Sequence, residues 1–297
     1  VNAALYRSVL PAENLLLVNT PTRFNSETTK NLARRLAENL EAPFVELPID
    51  SFINETVSQI DDLQIPFPSD MKTLHLTGFM KENIQARDRS TRILATLSSA
   101  FGGIFTCNAN KTELTVGYGT LYGDLSGALA ATADLWKHQI YALGRTLNRY
   151  FDKNMIPDEI FTVRPSAELS ENQDITKGLG DPLIYEYHDF LFRSFIEPWN
   201  RITPEEILTW YSKNCLEEKL GTPVSIKSIF KTHHDFITDL EKWWNLFAGF
   251  AVAKRIQAPP LLAVSRRPYG YDLRESQIAP YYTDTYIHLK NSLLSNG

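Results

Sequence analysis

The chain has 297 residues, enough for one large α/β domain or two modest ones, and 30 Lys and Arg against 35 Asp and Glu give a formal net charge of −5. This charge balance provides no excess of positive charge with which to bind nucleic acid. No apolar run approaches the roughly 18 residues of a membrane-spanning helix. Two cysteines, Cys107 and Cys215, are too few for a disulfide scaffold, so we expect a protein of the reducing cytoplasm without nucleic-acid or membrane partners.

The first part of the chain alternates between strand and helix patterns. Residues 14–19 and 43–49 are apolar runs that predict buried strands. Between them, residues 26–40 have helical spacing, and Asn25 or Ser26 is the expected cap at the start of that helix. This alternation is typical of a doubly wound, Rossmann-like parallel sheet, so the predicted fold class is α/β.

The remainder of the chain contains further helices and one more predicted strand. Residues 81–99 have helical spacing, residues 101–107 predict a strand, and another helix is expected over 129–150. The Pro, Gly and acidic residues of 157–182 indicate a mobile loop. We predict a single domain over the whole chain, in which residues 183–297 form a helical and extended C-terminal portion.

The most informative segment follows the predicted strand at 101–107. Asn110-Lys111-Thr112-Glu113 and the nearby run from Gly117 to Asp124 place a lysine, a hydroxyl and two carboxylates around a glycine-rich turn. Polar residues beyond the carboxyl end of a buried strand line the ligand crevice of open α/β sheets. The segment therefore indicates phosphate and metal chemistry.

A series of motifs carries a resemblance to a known family. In chain order these are Asn110-Lys111-Thr112-Glu113, Gly117-Tyr118-Gly119, Leu121-Tyr122-Gly123-Asp124, Pro165-Ser166-Ala167-Glu168-Leu169 and Gln173-Asp174. The series resembles the signature of the NAD synthetases, which are ATP pyrophosphatases with an adenine nucleotide α-hydrolase-like sheet. The resemblance implies that ATP adenylates the nicotinate carboxylate of deamido-NAD and that ammonia then displaces AMP to give NAD.

The resemblance also has consequences for the two ends of the chain. ATP pyrophosphatases carry a Ser-Gly-Gly-x-Asp-Ser phosphate loop, which matches nothing in these residues and is expected immediately before Val1. Residues 1–7 have a helical pattern without a Ser, Asp or Thr cap, so we expect a chain that begins inside an element. The runs 265–274 and 280–282 resemble the tail of glutamine-dependent synthetases, which implies that a parent protein could carry an N-terminal glutaminase domain.

The resemblance assigns the ATP chemistry to a small set of residues. Glu113 is the expected Mg²⁺ ligand, because this ion takes one or two carboxylates and fills its other positions with phosphate oxygens and water. Lys137 and Ser166 are the expected catalytic and ATP-binding groups, a cation and a hydroxyl for the phosphate oxygens. The same residues have a simpler alternative as solvated helix or turn residues. The further candidates are Lys111 for catalysis and Arg23 and Asn108 for ATP binding.

A second set is expected to bind deamido-NAD. Asn83, Arg87 and Arg89 lie in a segment that resembles the dinucleotide-binding helix of the family, and an arginine fork can hold a carboxylate or phosphate with two hydrogen bonds. Arg89 is the favoured contact, although surface arginines are usually only solvated. Lys254-Arg255 resembles the family's basic pair before a proline segment. Glu113 and Asp124 complete the expected dinucleotide set.

Two other functions remain open from the sequence. The chain could be a non-catalytic remnant that binds nucleotide and dimerises but lacks the phosphate loop. It could also be another ATP pyrophosphatase, such as an asparagine or GMP synthetase, although the segment from Asn83 to Arg89 fits these less well. The six histidines have no zinc-site spacing, and structural or surface roles are expected for them. The resemblance implies a homodimer that uses ATP, deamido-NAD and Mg²⁺, with ammonia from solution or from glutamine.

Overall fold

A computed structural model of the chain describes residues 1–269 and 280–295, and it contains helices and two small sheets. The end of the run from Ser265 to Arg274 therefore lies outside the described residues. The helices are α1 (Asn2–Arg7), α2 (Glu27–Leu40), α3 (Asp50–Ile60), α4 (Gly78–Arg87), α5 (Ala95–Phe101), α6 (Lys111–Val116), α7 (Lys137–Tyr150), α8 (Tyr185–Ile196), α9 (Pro204–Ser212), α10 (Leu216–Leu220), α11 (Ile226–Ile229), α12 (His233–Ala248), α13 (Ala251–Gln257) and α14 (Asp284–Ser295). The strands are β1 (Leu17–Asn19), β2 (Phe44–Glu46), β3 (Gln64–Pro66) and β4 (Met71–Thr73). Across the described residues, none of these helices has the length and apolar character needed to cross a membrane.

Strands β1 and β2 form a parallel pair, with Leu17 opposite Phe44, and α2 connects them. Helix α2 begins where the sequence predicts, because the Ser26 hydroxyl accepts a hydrogen bond from the Thr29 amide at 3.3 Å. This strand-helix-strand unit confirms the predicted α/β alternation. The doubly wound sheet itself stays a prediction.

Two predicted elements differ from the structure. The predicted strand over 101–107 is wrong at its start, because Phe101 ends α5 and Gly102 caps that helix in the left-handed conformation at φ +77°. Residues 104–107 take part in neither of the two described ladders, and a strand without a partner ladder is not formed. The helix predicted over 129–150 begins only at Lys137, because the preceding backbone is held elsewhere; the Ala130 amide donates to the Pro260 carbonyl at 2.9 Å.

A seven-residue π-helical segment, Asp88–Leu94, joins α4 to α5 where the sequence predicts one continuous helix. The segment 157–182, predicted to be a mobile loop, contains three short 3-10 helices. They span Asp158–Phe161, Glu171–Gln173 and Ile175–Lys177. A fourth short 3-10 helix, Ala12–Asn14, precedes β1. Local turn formation therefore orders much of the segment that its Pro and Gly content marks as irregular.

The chain divides into two compact units. Unit 1 comprises Val1–Cys107, Thr120–Ala128 and Ile140–Pro182, and unit 2 comprises Asn108–Gly119, Leu129–Gln139 and Leu183–Gly297. In unit 1, a small apolar core forms around Ala4, Leu40 and Ile156, each of which is fully buried. Unit 2 has a larger core rich in aromatic side chains, among them Trp136, Phe192 and Trp243. Burial of such large rings accounts for much of the apolar stabilisation of unit 2.

Candidate functional site

Helix α6 fixes Glu113 through a reciprocal cap. The Asn110 side chain accepts from the Glu113 amide at 3.0 Å, and Glu113 Oε2 accepts from the Asn110 amide at 3.0 Å. This capping box satisfies two amides that the start of a helix otherwise leaves unpaired. Glu113 Oε1 lies 3.7 Å from the Lys137 ammonium, and each side chain keeps 19% of its surface exposed. Unit 2 therefore presents a carboxylate and an ammonium side by side, both partly open to solvent.

Lys137 and His138 stand at the start of α7, where two side chains from other elements hold the first amides. The Lys137 amide donates to Thr112 Oγ1 at 3.2 Å, and the His138 amide donates to Asp189 Oδ2 at 2.9 Å. Lys137 Nζ lies 4.8 Å from the centre of the Tyr185 ring, a cation–π distance. The position of both residues is therefore set by α6 and α8. The sequence singles out the Thr112 hydroxyl within its motif but not the contact between His138 and Asp189, because no local spacing links residues that are 51 positions apart.

Lys111, which the sequence suggests as a catalytic residue, lies in a closed cluster of charges that argues against this role. Its side chain is fully buried, and Nζ lies 2.8 Å from Asp134 Oδ1, 2.8 Å from Ser265 Oγ and 3.4 Å from Glu197 Oε1. A buried charge is tolerated where it is paired and hydrogen-bonded in this way. The geometry gives Lys111 a packing role in unit 2 and leaves it no surface toward a substrate.

Asp134 is the centre of this cluster. Its carboxylate also accepts from the backbone amides of Val264 at 2.7 Å and Ser265 at 2.6 Å. Burial would raise the pKa of Asp134, but the hydrogen bonds from Lys111, Ser265 and the two amides outweigh burial and hold the pKa below its ordinary value. The cluster therefore ties the segment around Ser265 to α6.

Lys254 and Arg255 also contact α6, through its carbonyl groups. Lys254 Nζ donates to the Gly117 carbonyl at 2.7 Å and the Gly119 carbonyl at 2.6 Å. The buried Arg255 guanidinium donates to the carbonyls of Thr115 and Phe247. These contacts satisfy carbonyls at and just beyond the end of the helix. In this structure the basic pair holds α6 and the turn that follows it, while its expected contact with dinucleotide stays a prediction.

In unit 1, Asn83 joins α4 to the turn at Thr120–Asp124. Asn83 Oδ1 accepts from the Thr120 hydroxyl at 2.7 Å, and the Thr120 amide donates to Asp124 Oδ1 at 2.6 Å. Arg87 Nε donates to the Leu121 carbonyl at 3.2 Å, and the Arg87 side chain is exposed. Three of the residues expected to bind dinucleotide therefore meet at one turn of unit 1.

Arg89 belongs to the same region of unit 1. It lies in the π-helical segment, and its Nε donates to the Thr20 carbonyl at 3.1 Å. Burial lowers the pKa of the Arg89 guanidinium, an effect opposed first by the charge of Asp124 and then by those of Asp88 and Asp50. The favoured dinucleotide contact is thus a partly buried arginine, whereas its neighbour on α4, Arg87, is the exposed one.

The remaining ATP candidates lie in separate surroundings. Ser166 Oγ donates to the Gln173 carbonyl at 2.6 Å and accepts from the Glu168 amide at 3.1 Å, as a turn serine does. Arg23 is exposed and lines a cavity of about 210 Å³ in unit 1. Asn108 is exposed in unit 2. None of these positions distinguishes the expected role from that of an ordinary turn or surface residue.

The donor set for a metal ion can be tested on the described residues. Within 1–269 and 280–295, one group of three carboxylate or imidazole side chains is close enough to share an ion: Asp61, Asp62 and His75 of unit 1. Lys81 already pairs with Asp61 at 3.1 Å. Glu113 offers a single carboxylate, which fits Mg²⁺ held mainly by phosphate oxygens and water, but not a site closed by protein ligands alone.

Comparisons with known proteins agree with the motif series. A family model described as NAD synthase matches residues 1–228. A glutamine-dependent NAD(+) synthetase from Thermotoga maritima is 33% identical over 205 residues, which cover 69% of this chain and 33% of that protein. An NH(3)-dependent NAD(+) synthetase from Helicobacter hepaticus is 31% identical over 222 residues, covering 74% of this chain and 75% of that protein.

A solved structure shares the fold. The glutamine-dependent NAD(+) synthetase from Cytophaga hutchinsonii superposes with a TM-score of 0.61 at 19% identity, over 94% of this chain and 40% of that chain. At this identity the likeness concerns the fold alone. The chain spans about a third of the length of the first curated relatives that it matches.

Proposed function

Because the chain belongs to the NAD synthase family, we propose that it carries out the synthetase reaction, the ATP-dependent amidation of deamido-NAD to NAD. The relatives that match it are named NAD(+) synthetases, which are carbon–nitrogen ligases. The observation that best supports the proposal is the pair formed by Glu113 and Lys137, 3.7 Å apart and fixed by the caps of α6 and α7.

The reaction requires an activated carboxyl group and no protein nucleophile. A nicotinate carboxylate oxygen attacks the α-phosphorus of ATP and pyrophosphate leaves; ammonia then attacks the acyl carbon, loses a proton, and AMP leaves. The protein mainly orients the reactants and offsets charge. We assign Lys137 the role of balancing the negative charge on the leaving pyrophosphate. Ser166 is the proposed hydroxyl donor to a phosphate oxygen, with Arg23 and Asn108 as further ATP contacts.

Glu113 is the proposed residue for Mg²⁺. Its carboxylate is partly exposed beside Lys137, and one carboxylate suffices for an ion whose other positions are phosphate oxygens and water. When bound, the ion supplies neutralisation of phosphate charge. Oε2 remains engaged with the Asn110 amide, so the helix cap orients Oε1.

In unit 1, we assign contact with the dinucleotide to the turn at Thr120–Asp124. Arg87 is the exposed arginine of the turn, so its fork is the most accessible to a phosphate or carboxylate. We assign Asn83, Arg89 and Asp124 a supporting role around that turn. Lys254 and Arg255 keep α6 in place, and any contact of theirs with deamido-NAD is part of the proposal.

The experiment is a full product balance. The purified chain is incubated with deamido-NAD, ATP, MgCl₂ and ¹⁵N-ammonium, and NAD, AMP and pyrophosphate are quantified by mass spectrometry and ³¹P NMR. We expect equal amounts of the three products and ¹⁵N in the carboxamide. Replacement of ammonium by glutamine tests the ammonia source, which we propose is either solution or a glutaminase domain as in glutamine-dependent relatives.

Glu113→Gln keeps the shape of the cap and removes the charge, so NAD formation is expected to fall by about 100-fold or more. Glu218→Gln, at an exposed position of α10, is the matched control and should leave the rate unchanged. Binding of deamido-NAD without formation of NAD by the unaltered chain would favour the non-catalytic alternative. Turnover of aspartate or XMP instead would favour another ATP pyrophosphatase.

Two further properties are proposed from the family resemblance. The protein is expected to act as a homodimer in the cytoplasm, with the dinucleotide near the subunit interface. Light scattering at the protein concentration of the assay measures the molar mass directly. A strict monomer that forms NAD at full rate would contradict the dimer without affecting the proposed chemistry.

A further inference from the structure

Thr112, Asp189 and His138 form a chain of hydrogen bonds next to the Glu113 and Lys137 pair. The Thr112 hydroxyl donates to Asp189 Oδ1 at 2.5 Å, and Asp189 Oδ2 lies 2.7 Å from His138 Nδ1. Asp189 is fully buried, whereas 43% of the His138 side chain is exposed. A buried carboxylate needs hydrogen-bond partners of this kind, and its contact with Nδ1 fixes which ring nitrogen of His138 faces inward.

The contact between Glu113 and Lys137 lies next to the contact between His138 and Asp189. Thr112 and Glu113 are consecutive on α6, and Lys137 and His138 are consecutive at the start of α7. On α8, Tyr185 and Asp189 are four residues apart and therefore share a face. Lys137 lies over Tyr185 and His138 binds Asp189, so both side chains lie along that face. The imidazole thus stands beside the proposed phosphate-binding ammonium.

The imidazole ring is held in one orientation before any ligand binds. Its Nδ1 and its own amide both bind Asp189, and the ring stacks on Phe190 at 5.2 Å between centres and 12° between planes. Among residues 1–269 and 280–295, Nε2 has no hydrogen-bond partner, and the side chain is exposed. A group fixed in advance loses little entropy when it binds. The ring therefore has one inward nitrogen that is engaged and one nitrogen available to a ligand.

We propose that His138 is a second anion-binding residue of the phosphate site, where Nε2–H of the imidazole ring donates to an oxygen of the pyrophosphate group bound by Lys137. This inference rests on the proposed function, and it identifies how the site holds its leaving group. The Asp189 carboxylate on one side and a phosphate oxygen on the other are both hydrogen-bond acceptors, so the two ring nitrogens act as donors. Asp189 and Thr112 act as positioning residues, since they orient the ring without touching the ligand.

Titration calorimetry with inorganic pyrophosphate and MgCl₂ tests the inference on the intact chain. A charge-assisted hydrogen bond predicts binding about 10-fold weaker or more for His138→Gln, and similarly for Lys137→Met. His234→Gln, at an exposed histidine of α12, is the matched control and should bind as the unaltered chain does. Unchanged affinity for His138→Gln with a loss for Lys137→Met would overturn the role of His138 and leave the proposed function intact.

A second measurement removes any ambiguity from a poorly folded variant. Long-range ¹H–¹⁵N spectra of the unaltered chain show the imidazole nitrogens, and the His138 signals are identified by their absence in His138→Gln. A shift of the Nε2 signal on addition of pyrophosphate, with the His234 signal unmoved, supports the inference. A His138 signal that pyrophosphate does not move would overturn it, as would a failure of the unaltered chain to bind pyrophosphate. Formation of NAD is measured separately, so the two proposals fail independently.

Discussion

Removal of the Lys111 ammonium should destabilise unit 2 without touching its exposed surface. Lys111→Met keeps most of the side-chain volume but leaves the Asp134 carboxylate buried beside a thioether. Removing one partner of a buried ion pair costs about 3–5 kcal/mol. Asp134 would keep three donors, the Ser265 hydroxyl and the amides of Val264 and Ser265. We therefore expect the free energy of unfolding to fall by about 3 kcal/mol, near the lower end of that range.

The assay can be confined to unit 2, because all five tryptophans belong to it. Urea unfolding followed by tryptophan fluorescence should show a transition at a lower urea concentration for Lys111→Met than for the unaltered chain. A loss of about 3 kcal/mol corresponds to a fall of about 6–12 °C in the melting temperature for a unit of this size. Lys219→Met, at an exposed position of α10, is the control and should change stability by less than about 0.5 kcal/mol.

The pH dependence gives the same prediction a second test. The folded pKa of Asp134 lies below its ordinary value, so this carboxylate stabilises the fold above the unfolded pKa of about 3.9, and that stability is lost as pH falls through the folded pKa. In Lys111→Met the pKa of Asp134 should rise, which moves acid unfolding to higher pH. Identical urea and acid transitions for the variant and the unaltered chain would refute the account of the cluster.

Three other predictions concern single contacts. Arg87→Ala should weaken deamido-NAD binding about 10-fold in titration calorimetry, because an exposed guanidinium fork is lost; equal affinity would rule out this contact. Gly117→Ala should lower the stability of unit 2 by about 2 kcal/mol in urea, since φ is +66° and the new methyl would lie 2.9 Å from Lys254 Cδ. Glu168→Ala should speed hydrogen exchange at the start of α2, because the Glu168 carboxylate accepts from the Thr29 hydroxyl at 2.6 Å; unchanged exchange would argue against its capping role.

Local sequence predicts a structural feature correctly where one short segment contains all of its hydrogen-bond partners. The start of α2 follows from Ser26 and the amide of Thr29, three residues on. The glycine-rich segment was recognised as special, yet α6 within it was not predicted, although Asn110 and Glu113 have capping-box spacing. Residues 101–107 have strand composition, but a strand also requires a partner ladder, which composition does not encode.

The contacts of the other side chains depend on partners that lie far away in the sequence. The motif around Lys111 predicts a role in catalysis, but its partners Asp134 and Ser265 lie 23 and 154 positions away. The sequence around His138 indicates no functional contact, because its partner Asp189 lies on α8, 51 positions away. A charged residue in a motif therefore has no fixed role until its partners are known. That is the physical reason why the motif series indicated the family better than it indicated the contact of each residue.

The contacts of the last helices with α6 bear on how this protein can be shortened or recombined. The family match ends at residue 228, whereas Lys254 and Arg255 hold the carbonyls of Thr115, Gly117 and Gly119. A protein truncated at residue 228 would keep Glu113 and the rest of α6. It would lose Lys254 and Arg255, whose side chains bind the carbonyls of this segment. Chimaeras between relatives should therefore exchange α6 and α13 together, because side chains of α13 bind the carbonyls of α6 and of the turn that follows it.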